Sequence, residues 1–170
     1  MTSLAAQRYA LIAQLVHDYN KMSGKPAGKK AVQKLFYILQ RREKQAKLYD
    51  FSFYNYGVYS QDLSRDIAEA ARYDFIDVSY DGWANAYSIT PSANFENNKR
   101  FVPAFYNERL CEDAFGRTAK ELELISTIMF VCDEENISDQ KKIVERVLEL
   151  KPKFSEAEVK AQIPTYCSCA

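Results

Sequence analysis

The first part of the chain carries apolar residues at helical spacing, interrupted by one short break. Over residues 4–19, apolar side chains recur every three or four positions, which predicts an amphipathic helix whose polar face includes Arg8 and Asp18. Residues 23–28 contain two glycines and a proline, which end this helix. A wider apolar stripe over residues 29–44 then predicts a central core helix that is buried on more than one side.

An aromatic strand and a further amphipathic helix follow. Residues 49–56 alternate between two faces and are rich in Phe and Tyr, which predicts one short strand. Gly57 ends this strand, because a side chain would restrict the turn there, and Ser60 is placed to cap a helix over residues 60–73. The charged side chains of this helix are predicted to form surface ion pairs; they are Asp62, Arg65, Asp66, Glu69 and Arg72.

A β-hairpin is predicted next. Apolar and polar residues alternate over residues 76–90 on both sides of Asp81 and Gly82, a dipeptide typical of hairpin turns. The order helix, helix, strand, helix, hairpin is that of a winged helix, in which the hairpin would be the wing. We therefore predict an α+β, mostly helical fold with a winged-helix-like core over residues 1–91 and a small β-hairpin wing.

The C-terminal part of the chain is predicted to add helices to this core. Thr118 and Ser155 each open a capping box, with a glutamate three positions later. Between these boxes, Ser138 is placed to cap another helix, and Pro164 is placed to end the last one.

The added helices are predicted to belong to the same domain as the core. No linker rich in Gly, Ser or Pro separates the two parts, so we predict a single domain over residues 1–170. In this domain a helical extension, residues 92–170, packs on the core of residues 1–91. Within the extension, residues 94–101 are predicted to form a loop, and residues 103–115 a helix.

Charge and composition narrow the possible functions. The chain has 23 basic and 23 acidic residues, so it lacks the long-range positive field that attracts proteins to nucleic acid or anionic membranes. No apolar run is long enough to span a bilayer, and we predict a cytoplasmic protein with no membrane association. The four cysteines are therefore predicted to be reduced thiols, with Cys167 and Cys169 in a frayed tail.

No motif typical of an enzyme, a cofactor site or a metal site is present. His17 is the one histidine of the chain, and no Ser or Cys near it suggests a nucleophile pair. Gly24, Gly28 and the following Lys29 and Lys30 lack the spacing of a phosphate-binding P-loop, and no strand precedes them. We therefore predict a protein that is not an enzyme and that binds no cofactor or metal.

Several motifs together resemble a known family. The segments KLFYILQ and FSFYNYGVYSQDL, followed by a short hairpin that ends in YSIT, resemble the Panacea superfamily of SocA-like antitoxins, in particular its YwgA-like branch. In that branch an aromatic strand runs into a Tyr-Gly-Pro-Tyr-Ser corner and then a helix. The resemblance covers about residues 4–90, and Val58 stands where the family pattern has proline.

The resemblance implies a protein-interaction module. Antitoxins of this superfamily neutralise toxins by direct protein contact, and the SocA type is similar to a proteolysis adaptor that delivers its toxin to a protease. Protein interfaces favour tyrosine and arginine, which combine contact area with hydrogen bonding. The candidate partner-binding residues surround the aromatic corner: Tyr54, Tyr56, Gly57, Tyr59, Ser60, Asp62 and Arg65. Each tyrosine could instead fill the edge of the core, so only exposed tyrosines are expected to anchor a partner.

A winged-helix DNA-binding transcriptional regulator is the alternative. The helix over residues 60–73 would then enter the major groove, where proteins place Arg and Lys. Its acidic residues outnumber its basic ones, and residues 75–90 include two aspartates but no Lys or Arg. Because phosphate groups would repel these side chains, nucleic acid is predicted to be a less favoured partner than protein.

Overall fold

The computed structural model describes residues 2–43 and 47–167. Within these ranges the chain has an α+β fold that is mostly helical, with two separate antiparallel hairpins. The helices are α1 (Ser3–Ser23), α2 (Lys29–Arg42), α3 (Gln61–Arg72), α4 (Phe95–Asn98), α5 (Glu112–Phe115), α6 (Ala119–Asp133), α7 (Gln140–Leu150) and α8 (Glu156–Tyr166). The strands are β1 (Ser52–Tyr54), β2 (Gly57–Tyr59), β3 (Ile76–Asp81) and β4 (Ala86–Pro91), and short 3-10 helices cover Lys99–Phe101 and Glu108–Leu110.

The two N-terminal helices form where the apolar pattern predicts them. The Thr2 side chain accepts a hydrogen bond from the Ala5 N–H at the beginning of α1. Gly24 ends this helix in the left-handed conformation, with φ of 69°. In α2 every residue over 31–39 is buried, which confirms the prediction of a core helix covered on more than one side.

The loop between α1 and α2 is tied to β4. The Asn20 amide donates to the carbonyl of Ile89 at 2.9 Å and accepts from the Ala27 N–H at 2.7 Å, and the Ile89 N–H donates to the carbonyl of Ala27 at 2.8 Å. A side chain on Gly28 would come within 3.4 Å of the Tyr87 carbonyl oxygen. These contacts hold β4 beside the first turn of α2.

The aromatic segment is a hairpin, so the prediction of a single strand over residues 49–56 is wrong. β1 and β2 pair in antiparallel fashion, with Tyr54 opposite Gly57. Gly57 has φ of 87°, a conformation that glycine adopts without steric cost, and this allows the chain to reverse over two residues. We call residues 52–59 the tyrosine hairpin. The alternating pattern indicated extended backbone correctly but did not reveal where the chain turns back.

The second hairpin, β3 and β4, confirms the predicted hairpin but has a longer turn. Asp81 pairs with Ala86, which leaves a loop over residues 82–85. The positive φ of this loop, 48°, falls on Asn85 and not on Gly82. Asparagine tolerates the left-handed region because its side chain is short and polar, so the Asp-Gly signal located the turn without giving its type.

The predicted loop over residues 94–101 is instead helical. It contains α4 and the first 3-10 helix. Phe95 is buried there and stacks on His17, with 4.6 Å between the ring centres. The polar composition of this segment concealed the packing of Phe95 on α1.

The predicted helix over residues 103–115 is broken into a turn, a 3-10 helix and α5. Tyr106 donates a 2.6 Å hydrogen bond to Asp18 of α1, and the Asn107 side chain caps the 3-10 helix by accepting from the Arg109 N–H. The hydrogen bond of Tyr106 attaches the segment to α1, and the cap at Asn107 begins a new helical turn. The segment is therefore not one continuous helix.

The last three helices follow their predicted caps with two corrections. The capping boxes at Thr118 and Ser155 are both present. Asp139, and not Ser138, caps α7 by accepting from the Lys142 N–H. Helix α8 continues through Pro164 to Tyr166, since a proline in the last turn removes only one hydrogen-bond donor from the ladder.

Two carboxylates that were predicted to face solvent are buried between elements. Asp66 of α3 lies 3.0 Å from Arg8 of α1 and accepts a 2.9 Å hydrogen bond from Tyr49. Asp18 accepts from Gln14 as well as from Tyr106. The prediction that Arg8, Asp18 and Asp66 form polar surfaces is therefore wrong, because each pairs with a partner from another element or the next helical turn.

One cluster of buried side chains extends from α1 to α8, so the C-terminal helices share a core with the first two. Phe130 of α6, for example, packs on Phe53 of the tyrosine hairpin with 5.0 Å between ring centres. Among the described residues, none of the helices has the length and apolar character that crossing a bilayer requires.

Cys132 of α6 and Cys167, the residue after α8, form a disulfide bond. The predictions that all thiols are reduced and that Cys167 lies in a frayed tail are therefore wrong. Cys167 is buried, because α8 packs against α6 up to its last turn. The remaining cysteine of the predicted tail pair, Cys169, lies outside the described residues.

Reduction of the Cys132–Cys167 disulfide should lower the free energy of unfolding by roughly 2–4 kcal/mol, because the bond closes a long loop in the unfolded chain. The two cysteines are 35 positions apart in the sequence. Urea unfolding with and without a phosphine reductant measures the effect, and a Cys132→Ser variant should show no response to the reductant. An unchanged unfolding midpoint of the native chain on reduction would instead support the predicted free thiols.

Candidate functional site

The tyrosine hairpin presents two of its tyrosines to solvent. Tyr54 is 59% exposed and Tyr56 is 67% exposed. Tyr59 is half-buried, and its ring meets that of Tyr54 edge to face with 5.9 Å between centres. By the criterion of exposure, Tyr54 and Tyr56 are thus the tyrosines of this hairpin that can anchor a partner.

The hairpin forms one wall of a cavity of about 500 Å³. The opposite wall is the first half of α2, and the beginning of α3 closes one end. The lining residues are Lys29, Lys30, Gln33, Lys34, Tyr54, Tyr56, Gly57, Tyr59, Gln61, Ser64 and Ile67. We call this space the hairpin cavity. Its volume lies within the range of about 300–1,000 Å³ that is typical of ligand pockets.

The structure brings together four of the seven candidate site residues. Tyr54, Tyr56, Gly57 and Tyr59 line the hairpin cavity. Ser60 is buried and caps α3 by accepting from the Leu63 N–H, so its role is structural. The other two, Asp62 and Arg65, are exposed on α3, do not line the cavity and pair with each other at 2.7 Å.

Gln33 of α2 attaches the end of the hairpin to the core helix. Its buried amide donates to the Ser60 carbonyl at 3.0 Å and accepts from the Ser60 N–H at 2.8 Å. One side chain thus satisfies both backbone groups of the residue that joins β2 to α3. The pairing fixes the position of the hairpin against α2.

Lys34, the next residue of α2, is buried at the base of the cavity and is only 4% exposed. Its ammonium donates to the Val58 carbonyl at 3.0 Å. Burial is the main cause that lowers the pKa of Lys34 to about 8; the nearby charges of Lys151, Lys30 and Lys153 act in the same direction, whereas Glu123 opposes them. A lysine with such a pKa changes charge close to physiological pH.

Glu123 of α6 is already paired with two other lysines. Its Oε1 lies 2.8 Å from Nζ of Lys151, and its Oε2 lies 2.5 Å from Nζ of Lys153. Lys151 is itself buried and donates to the carbonyl of Asn55, in the turn of the tyrosine hairpin, at 2.6 Å. Lys34 and Lys151 therefore hold the backbone of the tyrosine hairpin, and Glu123 pairs with Lys151 and Lys153 beside it.

Lys29 and Lys30 connect the two hairpins across the first turn of α2. Nζ of Lys30 lies 3.9 Å from the ring centre of Tyr56, and Nζ of Lys29 lies 3.8 Å from that of Tyr87. Beyond Tyr87, the fully exposed Trp83 occupies the tip of the second hairpin. Two successive lysines of α2 thus each lie over a tyrosine ring, one ring from each hairpin.

The sequence analysis missed Gln33, Lys34, Glu123 and Lys151. The available signal was a pair of polar residues inside the apolar stripe of α2, where a helix buried on several sides must pair each polar group. Glu123 and Lys151 gave no local signal, because only the fold brings α6 and the residue after α7 to the hairpin.

The described residues support neither a metal site nor a reactive cysteine. Within residues 2–43 and 47–167, no cluster of His, Cys, Asp and Glu side chains is arranged to hold a metal ion. Burial raises the pKa of the free thiol of Cys111 to about 12, so this cysteine stays protonated and is a poor nucleophile. The hairpin cavity is therefore the candidate site.

Compared with models of known protein families and with curated protein sequences, the chain gives no match.

The free energy of unfolding should rise with pH between pH 8 and 10 because of Lys34. Unfolded lysine keeps its proton up to a pKa near 10.4, whereas folded Lys34 loses it near pH 8. Between these values the unfolded state binds more protons, which favours the folded state as pH rises. The gain from pH 8 to pH 10 is roughly 2 kcal/mol.

Urea unfolding of the native chain and of Lys34→Met at both pH values measures this gain. The Met variant should lack it, while the exposed-lysine control Lys142→Met should keep it. Equal pH dependence in the native chain and Lys34→Met would contradict the assigned pKa.

Proposed function

We propose that this chain is a non-enzymatic protein-interaction module, and that the tyrosine hairpin with its cavity is the partner-binding surface. The observation that carries the proposal is the position of exposed Tyr54 and Tyr56 at the edge of an open cavity with a buried lysine at its base. Exposed aromatic anchors beside a pocket are the arrangement that concentrates binding energy in protein interfaces.

The proposal modifies the set of candidate residues. Tyr54, Tyr56 and Tyr59 supply contact area, and Gly57 supplies the turn that presents them. Lys29 and Lys30 join the set because they line the cavity and lie over tyrosine rings. A role for Asp62 and Arg65 in partner binding stays a prediction.

The resemblance to the Panacea superfamily supplies the proposed biological role. In that role the chain neutralises a toxin by direct contact, or acts as an adaptor that delivers a partner to a protease. The order of elements supports this role, because an aromatic segment runs into a Gly57 corner and then a helix capped by Ser60, as in the family pattern. Val58, in place of the family proline, is a buried β2 residue whose carbonyl accepts from Lys34. The cytoplasmic location belongs to this proposal, and the Cys132–Cys167 disulfide disfavours it, because the cytosol keeps most thiols reduced.

DNA binding by a winged helix is the alternative proposal. It is supported by the succession of α3 and the second hairpin, the elements that would serve as recognition helix and wing. The charges of α3 disfavour it: Arg65 pairs with Asp62, and Arg72 with Glu69, so both cations are already neutralised. Asp66 was counted among the acidic residues that would repel DNA, but it is buried. Its burial removes one repulsive charge from α3 and supplies no positive charge that would attract phosphate.

A pull-down from lysate of the native host, with nuclease, tests the proposal with two matched double variants. Tyr54→Ala with Tyr56→Ala should reduce recovery of a stoichiometric protein partner at least about tenfold, because hot-spot aromatics contribute more than 1 kcal/mol each. Tyr80→Ala with Trp83→Ala removes two exposed aromatics from the second hairpin and should leave recovery unchanged. Circular dichroism of both variants checks the fold.

Two results would overturn the proposal. One is partner recovery that depends on the second hairpin and not on the tyrosine hairpin. The other is recovery of nucleic acid without any protein partner when nuclease is omitted, which would favour the winged-helix regulator.

A further inference from the structure

We propose that the hairpin cavity binds a carboxylate group of the partner polypeptide, with Lys34 as the cation that receives it and the tyrosine rings around the apolar group beside it. This inference rests on the proposed function for the source of the carboxylate, a protein partner. It adds the chemistry that the site recognises.

Buried positive charge exceeds buried negative charge beside the cavity. The buried Lys34 and Lys151 and the exposed Lys153 lie around one carboxylate, Glu123, whose two oxygens pair with Lys151 and Lys153. In the part of the chain that the structure describes, no carboxylate oxygen lies within 4.0 Å of the Lys34 ammonium. An ammonium buried without an opposite charge is costly, and a bound anion would remove that cost.

Lys34 also has unused hydrogen-bonding capacity. An ammonium has three N–H donors, and the described residues provide Lys34 with one acceptor, the Val58 carbonyl. Lys34 also lines the hairpin cavity. A carboxylate that enters the cavity could accept a charge-assisted hydrogen bond from it, and such bonds are about twice as strong as neutral ones.

The walls of the cavity include apolar surfaces. The rings of Tyr54, Tyr56 and Tyr59 and the side chain of Ile67 line the cavity together with Lys34. A ligand that fits must therefore carry an apolar group next to its negative charge. A residue such as Phe or Leu at a free C-terminus, or beside Asp or Glu, has this composition.

A carboxylate suits the site better than a phosphate. Phosphate groups carry about two negative charges, and the planar donors of arginine match their geometry bidentately, whereas each lysine supplies a single point charge. The hairpin cavity contains no arginine, and Lys29 and Lys30 at its mouth already lie over tyrosine rings. One buried ammonium matches one carboxylate.

Binding is therefore coupled to the protonation of Lys34. A carboxylate would keep Lys34 charged, so the complex takes up protons near pH 8 and weakens as pH rises. The charged groups that face Lys34 are Lys30 on α2, Glu123 on α6, and Lys151 and Lys153 after α7. With a pKa of about 8, the charged fraction of Lys34 falls about tenfold between pH 7 and pH 9.

Titration of the purified full chain with small probes tests the proposal without any partner. The probes are N-acetyl-Leu-Phe with a free carboxylate, N-acetyl-Glu-Phe-amide with a side-chain carboxylate, the neutral N-acetyl-Leu-Phe-amide, and phenyl phosphate. Amide chemical shifts of Gly57, Val58 and Tyr59 report binding. At least one carboxylate probe should bind at pH 7 about tenfold more tightly than the neutral amide, and the stronger of the two identifies the source as chain end or side chain.

Lys34→Met should abolish the preference for carboxylate, and Lys142→Met should preserve it. If Lys34→Met does not fold, the native chain still provides the test, since carboxylate affinity should fall about tenfold from pH 7 to pH 9 while amide affinity stays constant. Equal affinity for the amide, tighter binding of phenyl phosphate, or binding independent of Lys34 and pH would overturn the proposal. Probe binding without a hairpin-dependent protein partner would overturn the proposed function, and with it the partner as the source of the carboxylate, but not the carboxylate site.

Discussion

The attachment of the tyrosine hairpin to α2 is the constraint on which the candidate site depends. Two strands of three residues are too short to be stable in water by themselves, so the hairpin needs contacts with the rest of the fold. Buried polar side chains supply them: Gln33 bonds both backbone groups of Ser60, Lys34 bonds Val58, and Lys151 bonds Asn55 in the turn. Because these contacts hold the backbone, the side chains of Tyr54 and Tyr56 are left free to face solvent.

This mode of attachment carries an energetic cost that a purely structural role does not require. Holding Lys34 buried with a lowered pKa opposes folding at neutral pH, and an apolar side chain of similar length would avoid that cost. Groups whose pKa is shifted in this way are concentrated at functional sites. The cost therefore favours a ligand-binding role for Lys34, and Lys29 and Lys30, about one turn earlier in α2, also line the cavity.

The sequence predicted the elements whose signals are local. Helices α1 and α2, the caps of α3, α6 and α8, and the second hairpin follow from periodicity, from Ser and Thr caps and from Gly24. It did not predict features that depend on distant contacts. The aromatic segment gave an alternating pattern with no sign of its turn, and Asp66 gave the same charged signal that a surface carboxylate gives, although Arg8 and Tyr49 bury it. Likewise, residue type was enough to predict the tyrosines of the candidate site. The roles of Lys34 and Glu123 could be recognised only from the packing of α2 against α6.

Hydrogen–deuterium exchange of the chain alone and in complex with its recovered partner tests the central claim most directly. The account predicts slower exchange in the complex over residues 29–34 and 52–60, the two walls of the hairpin cavity, with α3 beyond its first turn and the second hairpin unchanged. Slower exchange confined to residues 65–91, the end of α3 and the second hairpin, would contradict it and would move the binding surface to the elements of the winged-helix alternative.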